Sequence, residues 1–147
     1  MRIVLDTNVL ARATPGKTGP ASVLRQVIHS SHLLILSPYL LTELARVLRY
    51  PRVQAMHGLD DREMDQYLAA LQAGSLIVNV SPYLAEQIVP DDPDDDPIVA
   101  TAIAGKANYL CTLDKHLLCQ EVVDYCAGHE VRVLTDTELL RELRNPA

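Results

Sequence analysis

The sequence predicts an α/β fold in which helices flank a mainly parallel central sheet of four or five strands. Segments rich in β-type residues alternate along the chain with segments that have helical features, an order typical of β/α units. The chain contains neither Trp nor Phe, so Leu, Val, Ile and Ala must form the core, which suits parallel β/α packing. Its 147 residues show no internal repeat, low-complexity tract or linker, and we expect a single domain over residues 1–147.

Five short segments rich in aliphatic residues are expected to be strands. Loop or helix signals bound each of them, and the first and fourth end in aspartate. The loop ATPGKTGP is expected to follow the first strand. The five segments are RIVLD (2–6), LLIL (33–36), SLIVNV (75–80), YLCTLD (109–114) and VRVLT (131–135).

Five further segments are expected to be helices, because they carry apolar residues at helical spacing or clear start and stop signals. Ser37 can cap the second helix, and Pro38 suits its first turn. Pro97 suits the first turn of the fourth helix, with Asp95 or Asp96 near its cap. The five segments are ASVLRQVIHS (21–30), SPYLLTELARVLRY (37–50), DDREMDQYLAALQAG (60–74), PIVATAIAGKA (97–107) and DTELLRELR (136–144).

Composition argues against several classes of protein. The chain begins MRIVLD without a basic and apolar leader, and no apolar run approaches the roughly 20 residues of a membrane span, so a cytoplasmic protein without membrane contact is expected. Three cysteines without CxxC spacing are expected to be reduced thiols, and no close Cys or His pair offers zinc its usual ligand spacing. The net charge of −6 argues against nucleic-acid binding by charge alone.

The charges are unevenly distributed. Five of the 19 acids lie in residues 91–96, whereas residues 44–59 contain Arg46, Arg49 and Arg52 and no acid. Neighbouring carboxylates repel by about 1 kcal/mol per pair at contact distance even in water. The aspartate run is therefore either a solvated loop or part of a site that holds a cation.

Several acids are expected at one edge of the sheet. Asp6 and Asp114 end predicted strands, and the carboxyl ends of parallel strands meet where open sheets bind ligands. The aspartate run opens the helix before the second of these strands. Glu43 lies on the margin of a buried helical stripe, an odd place for an unpaired acid unless it faces a pocket.

Each acid also has a purely structural interpretation. Asp6 can form an Asx turn, Asp95 or Asp96 can cap a helix, Glu43 can be an ordinary surface acid, and Asp114 can cap a helix that follows it. Together these interpretations require four coincidences at one edge of the sheet. A shared cation removes the repulsion, and hard oxygen ligands favour Mg²⁺ or Mn²⁺.

Four stretches, in this order, make the chain resemble PIN-domain proteins of the bacterial toxin type. They cover nearly the whole chain: IVLDTNVL, SPYLLTELARVLRYPRV, DPDDDPIVATAIAGKANYLCTLDKHLL and VRVLTDTELLREL. The resemblance implies a Mg²⁺- or Mn²⁺-dependent ribonuclease, often the toxin half of a toxin–antitoxin pair. It also implies an RNA substrate, a small antitoxin protein as partner, and a homodimer.

The family's acids fall on four positions of this chain. Asp95 is preferred among its neighbours because it stands three residues before Ile98, the family's spacing. The resemblance implies that three aspartates hold the metal and that the glutamate orients water or helps a second ion. The four catalytic and metal-binding candidates are Asp6, Glu43, Asp95 and Asp114; the supporting candidates are Asn8, Thr112 and Asp92.

Two features of the sequence leave alternatives open. Some relatives carry a further acid where this chain has His116, so the resemblance does not establish a second metal site. Arg46, Arg49 and Arg52 are candidates for contacts with RNA phosphates, and an ordinary solvated helix face explains them equally well.

Three other functions fit the sequence less well. A phosphatase of the haloacid-dehalogenase type needs a second aspartate two residues after its nucleophile, where this chain has Asn8. A receiver-like domain needs a phosphoacceptor aspartate on a middle strand, and LLILS and SLIVNV contain none. A PIN scaffold that binds RNA or a protein without cleaving is the alternative outside the enzymes, and the four candidate acids argue against it.

Overall fold

A computed structural model of the chain describes residues 1–80 and 96–145. Its centre is a five-stranded sheet in the order β3-β2-β1-β4-β5, with every neighbouring pair parallel. The predicted α/β class and mainly parallel sheet are confirmed. The strands are β1 (Arg2–Leu5), β2 (Leu33–Leu36), β3 (Ser75–Ile77), β4 (Tyr109–Cys111) and β5 (Arg132–Leu134).

The strand β1 lies at the centre of the sheet. It pairs with β2 through Arg2 and Leu33 and with β4 through Ile3 and Tyr109. From β1 the chain moves through β2 to β3, and it then returns to the other side of β1 for β4 and β5. The order of the strands therefore reverses between β1 and β4, and a crevice outside the carboxyl ends of two such strands is where open α/β sheets bind ligands.

Helices cover this sheet, and all five predicted helices are confirmed. In the described ranges the helices are α1 (Thr7–Arg12), α2 (Pro20–Ser31), α3 (Pro38–Leu48), α4 (Pro51–His57), α5 (Asp61–Ala73), α6 (Asp96–Ala104), α7 (Gln120–Gly128) and α8 (Asp136–Arg144). The five predicted helices are α2, α3, α5, α6 and α8, whereas α1, α4 and α7 were not predicted. None of them is long and apolar enough to cross a membrane.

The ends of the helices follow local capping chemistry. Ser37 Oγ accepts a hydrogen bond from the Leu40 amide at the start of α3, as its position before Pro38 predicts. The helix α4 begins at Pro51 itself and ends at His57, and Gly58 follows with a φ of 68°, which favours glycine. Pro51 therefore ends one helix and starts the next.

Four of the strands are shorter than the sequence predicts, and the fifth strand covers Arg132–Leu134 rather than residues 131–135. The third ends at Ile77. The two strands that were expected to end in aspartate finish at Leu5 and Cys111. Asp6 instead caps α1, because its side chain accepts a hydrogen bond from the Thr7 amide. The residues after Cys111 form a turn, so both aspartates lie just beyond the sheet rather than in it.

The core is built almost entirely from aliphatic side chains on both faces of the sheet. Ile3, Val4 and Leu5 of the central strand are fully buried. The helix α6 contacts β1, β2 and β4, and its C-terminal end lies close to β2. A Cβ atom at Gly105 would lie 2.6 Å from Cγ2 of Ile35, so this approach requires glycine. The sheet and α6 thereby fix the ends of β1 and β4 relative to each other.

Candidate metal site at the ends of β1 and β4

Asp6 is a buried carboxylate at the end of the central strand. Its residue is 2% exposed, and its backbone amide donates to the Cys111 carbonyl oxygen at 2.9 Å. Oδ1 accepts from the Thr7 amide at 2.7 Å, and Oδ2 accepts from the hydroxyl of Thr112 at 2.7 Å. The Asp6 side chain is therefore held in one orientation by Thr7, which follows β1, and by Thr112, which follows β4.

Thr112 and Asn8 connect the segments that follow the two strands. The Asp114 amide donates to the Thr112 hydroxyl oxygen at 3.0 Å, and the Leu113 amide donates to Asn8 Oδ1 at 3.3 Å. The Asn8 side-chain amide lies 3.4 Å from Asp6 Oδ2 and donates to it. These two small polar residues thus bridge the backbone after β4 to the carboxylate after β1.

Asp114 is half-buried in the turn after β4. Its Oδ1 accepts from the His116 amide at 2.9 Å, and its carbonyl oxygen accepts from the Leu117 amide at 3.0 Å. The carboxylate of Asp114 therefore has a fixed position at the same edge of the sheet as Asp6.

The electrostatics of this edge disfavour a charged Asp6. Burial raises the pKa of Asp6, and the negative charge of Asp114 raises it further. The hydrogen bonds from Thr112 and Thr7 oppose both effects without cancelling them. Among the described residues, no cationic side chain pairs with Asp6. A cation at this edge would offset both the cost of burying a charged Asp6 and its repulsion from Asp114.

Glu43 on α3 is not the unpaired acid that the sequence suggested. Its carboxylate forms an ion pair with Arg46, one turn further along the helix. The Glu43 side chain is 21% exposed, so it remains partly accessible. No described hydrogen bond joins Glu43 to Asp6 or Asp114.

The three arginines of the α3–α4 corner differ in their contacts. Arg46 pairs with Glu43, and Arg49 pairs with Asp65 of α5 at 3.1 Å. Arg52 is exposed and forms no ion pair with any residue in the described ranges. Two of the three candidate phosphate contacts thus already have a carboxylate partner.

The predicted ligand Asp95 and the supporting residue Asp92 lie outside the described residues. The helix α6 begins directly after this stretch, at Asp96. Thr101 of α6 donates a hydrogen bond to Ser37 Oγ at 2.9 Å, and both residues are buried. This contact holds α6 against the start of α3. Sequence analysis identified Ser37 only as a cap and missed Thr101.

The donor set of this edge fits a hard divalent cation. Asp6 and Asp114 supply carboxylate oxygens. The Asp114 carboxylate accepts one described hydrogen bond. Two of the four that Asp6 accepts, from the Thr7 hydroxyl and the Asn8 amide, are long at 3.4 Å and could give way to a metal ion. Within residues 1–80 and 96–145, no group of three or more His, Cys, Asp or Glu side chains stands ready to hold a metal ion. Mg²⁺ characteristically uses one or two carboxylates and retains water, so two aspartates are compatible with it.

Comparison with protein families decides the classification. The model of the family described as PIN domain matches residues 2–116, which is most of the chain. The chain belongs to the PIN-domain family. The matched range contains β1 to β4, Asp6 and Asp114. No curated protein matches the chain.

The PIN-domain assignment gives the geometry a chemical context. PIN domains are generally nucleases, and they typically use divalent metal ions. In this PIN domain, two fixed carboxylates lie beyond neighbouring parallel strands, where α/β sheets place their ligands. Such an arrangement can bind a cation together with an anionic substrate, because the cation lowers the repulsion between them.

Proposed function

We propose that this PIN-domain protein is a Mg²⁺- or Mn²⁺-dependent ribonuclease that hydrolyses RNA phosphodiester bonds. The observation that carries the proposal is the pair Asp6 and Asp114. Thr112 bridges the two across the strand reversal, and Asp6 has no cationic partner among the described residues. Buried carboxylates are costly unless they are paired or bind metal, so this pair favours a bound cation.

The proposed roles follow from the contacts of each residue. Asp6 and Asp114 hold the metal, together with Asp95 from the adjacent aspartate run and with Asp92 in support. Thr112 and Asn8 fix the carboxylate after β1 by hydrogen bonds. A bound Mg²⁺ or Mn²⁺ would make a water molecule more acidic and stabilise negative charge on the reacting phosphoryl group.

Glu43 is the proposed residue that orients the attacking water. This role requires an accessible carboxylate, and the Glu43 side chain is 21% exposed. No side-chain nucleophile is needed in this scheme. Two of the three cysteines, Cys111 and Cys126, are buried, and burial raises the pKa of each thiol, to about 11 for Cys126. Neither thiol is suited to act as a nucleophile.

The substrate class is RNA, and a protein with net charge −6 needs local positive charge to hold it. The metal site would supply part of that charge. Arg46, Arg49 and Arg52 are the proposed source of the rest, and Arg52 is the strongest candidate because it has no described ion-pair partner.

We further propose that the protein is the toxin of a toxin–antitoxin pair, acting in the cytoplasm as a homodimer. This part rests on resemblance to bacterial toxin-type PIN domains. Expression of the protein alone should slow growth, and co-expression of a small antitoxin protein should restore it. Unimpaired growth during expression of active enzyme would contradict the toxin role and leave the nuclease role intact.

The decisive experiment is an RNA cleavage assay on the purified protein with Mn²⁺, with Mg²⁺ and with chelator. Structured and single-stranded RNAs should both be offered. We expect cleavage with either metal and none with chelator, because Asp6 and Asp114 need a cation to act on a polyanion. Cleavage that survives chelation would reject the metal-dependent mechanism. RNA binding without cleavage under all conditions would instead support the non-catalytic scaffold. Release of phosphate from small phosphomonoesters would support a phosphatase.

A further inference from the structure

A second concave site lies on the face of the sheet that α2 and α5 cover. It is a cleft of about 140 Å³, bounded by β1, β2, α2, α5 and the start of β3. The three candidate metal ligands that the structure describes, Asp6, Glu43 and Asp114, do not line it. Its apolar wall consists of Leu5, Ile28, Leu34 and Leu71. The cleft is therefore separate from the proposed nuclease chemistry.

The size of the cleft suits a small ring or branched chain. An apolar cavity of about 150 Å³ holds one benzene molecule, and this cleft has nearly the same volume. Aliphatic side chains form one side, so the body of a ligand there would be apolar.

Polar groups at the cleft have unused hydrogen-bonding capacity. Arg25 donates through Nε to the Ala13 carbonyl oxygen at 2.8 Å, and its guanidinium carbon lies 5.8 Å from the centre of the Tyr67 ring. The two terminal nitrogens of Arg25 make no hydrogen bond to a described residue. Arg25 is thus held in place by Nε and the ring while its outer donors stay available.

His32 adds a second unused group. Its Nδ1 atom is shielded from solvent and has no hydrogen-bond partner among the described residues. Burial lowers the pKa of His32, and the nearby positive amino terminus lowers it further, so the ring is neutral at neutral pH. Because Nδ1 is shielded even from water, it does not face the open cleft, and a ligand there would contact the neutral ring through its other atoms. A buried polar atom of this kind normally has a partner.

The charges at the cleft select the ligand. The described lining contains Arg25 as its permanent cation and contains no acidic side chain. A single guanidinium matches a single negative charge with planar geometry, which is the charge and shape of a carboxylate. A free phosphate or sulfate has no apolar part to cover the aliphatic wall. We propose that this cleft binds a small organic monocarboxylate whose compact apolar body packs against the aliphatic wall and whose carboxylate meets the guanidinium of Arg25.

Benzoate is a suitable probe, because it combines one carboxylate with one ring. The whole protein should be titrated with benzoate in chelator, and two-dimensional NMR spectra should be recorded at each step. We expect saturable shifts at residues of the cleft. Benzyl alcohol has a similar size and no charge, and it should bind at least about tenfold more weakly, since hydrogen bonds to charged groups are the stronger ones. Absence of shifts at millimolar benzoate would overturn the proposal, and equal binding of the two compounds would overturn the carboxylate assignment.

Two variants test the residues themselves. Arg25→Gln should weaken benzoate binding about tenfold or more and leave benzyl alcohol binding nearly unchanged. Arg62→Gln on the exposed part of α5 is the matched control and should change the affinity for neither compound. Ala70→Phe places a ring in the wall of the cleft at an exposed helix position, so it should abolish binding of both compounds even if Arg25→Gln does not fold. Normal benzoate binding by folded Ala70→Phe would place the ligand elsewhere and reject the proposal.

Discussion

Two charged regions of this PIN domain differ in burial and in pairing. At the edge formed by β1 and β4, Asp6 is 2% exposed and feels the negative charge of a second carboxylate, Asp114, with no described cation paired to it. At the corner of α3 and α4, Arg46 and Arg49 are 62% and 40% exposed, and each already has an acidic partner. The first region brings like charges together in a buried part of the protein, and the second pairs opposite charges at the exposed surface.

The difference shows where charge is informative about function. Exposed ion pairs contribute about 0–1 kcal/mol, so the arginine pairs cost little to form or to break. A buried carboxylate beside another carboxylate is costly unless a proton or a metal ion compensates. A cation bound at the β1–β4 edge would therefore stabilise the charged form of Asp6, whereas the charges of the α3–α4 corner are already paired at Arg46 and Arg49.

The largest expected effect is the loss of cleavage on removing either carboxylate. Loss of a residue that hydrogen-bonds to a metal ligand lowers activity by roughly 10–100-fold. Asp6→Asn and Asp114→Asn each remove a proposed metal ligand itself, so each should lower the cleavage rate by more than this. Asn keeps the shape of Asp and can still cap α1 at position 6. Rates should be measured with saturating Mn²⁺. Asp61→Asn, exposed at the start of α5, is the control and should cleave at the parental rate. A rate near the parental one in either site variant would remove that residue from the metal site.

Asp95→Asn tests whether the aspartate run belongs to the same site. The variant should lose cleavage, and without metal it should melt no lower than the parent, because one repelling charge is gone. Mn²⁺ should raise the melting temperature of the parent, since a ligand at about 100 times its Kd stabilises by about 2.7 kcal/mol. It should raise that of the variant much less. A parental response to Mn²⁺ with normal cleavage would identify the run as a charged loop.

Thr112→Val addresses the bridge between the two strand ends and should have an intermediate effect. The change removes the hydroxyl that donates to Asp6 and accepts from the Asp114 amide. We expect a loss of about 10–100-fold in metal affinity or cleavage rate, the usual consequence of losing a partner that orients a ligand. Thr112→Ser should restore most of it. Thr137 is an exposed threonine of α8, and Thr137→Val is the matched control. Loss of stability alone, with metal affinity unchanged, would give Thr112 a purely structural role.

Much of the fold was predictable because β/α alternation and capping are local signals. Ser37, Pro38 and the apolar stripe predicted α3 from adjacent residues alone. The helix α1 was missed because it has six residues and takes its cap from the end of β1. The helix α4 was missed because the predicted helix over residues 37–50 stops directly before Pro51, and the sequence after that proline was assigned no element.

The candidate site was predictable only in part. That Asp6 and Asp114 follow strands is visible in the sequence, whereas the bond between Asp6 and Thr112 joins residues 106 positions apart. That bond depends on β1 and β4 being neighbours, which no local pattern shows. The pair Glu43 and Arg46 has a three-residue spacing that predicts contact on a helix, but Arg46 had been considered only as a phosphate contact or as part of a solvated helix face.

The charge on Asp6 should also appear in the stability of the metal-free protein. Because the folded protein raises the pKa of Asp6, the stabilising contribution of this group is present below the ordinary Asp pKa of about 4 and is lost as the pH rises through the raised value. Asp6→Asn does not titrate, so its stability relative to the parent should increase over that pH range. Urea unfolding in chelator at several pH values measures this difference. A difference that stays constant with pH would show that burial and Asp114 do not perturb Asp6.

The smallest expected effect belongs to the arginine corner. Each phosphate contact that is lost should flatten the dependence of log K on log salt by about one unit, uniformly across RNA sequences. Arg49→Ala and Arg52→Ala should be measured singly and together by RNA binding over a range of salt concentrations. Arg62→Ala serves as the control on α5, and Arg46→Ala is kept apart because it also releases Glu43. Arg49 must leave Asp65 to reach a phosphate, so Arg52→Ala should change the slope more. An unchanged slope of log K against log salt in the double variant would show that this corner is an ordinary solvated surface. RNA affinity would then come mainly from the proposed metal site at the β1–β4 edge.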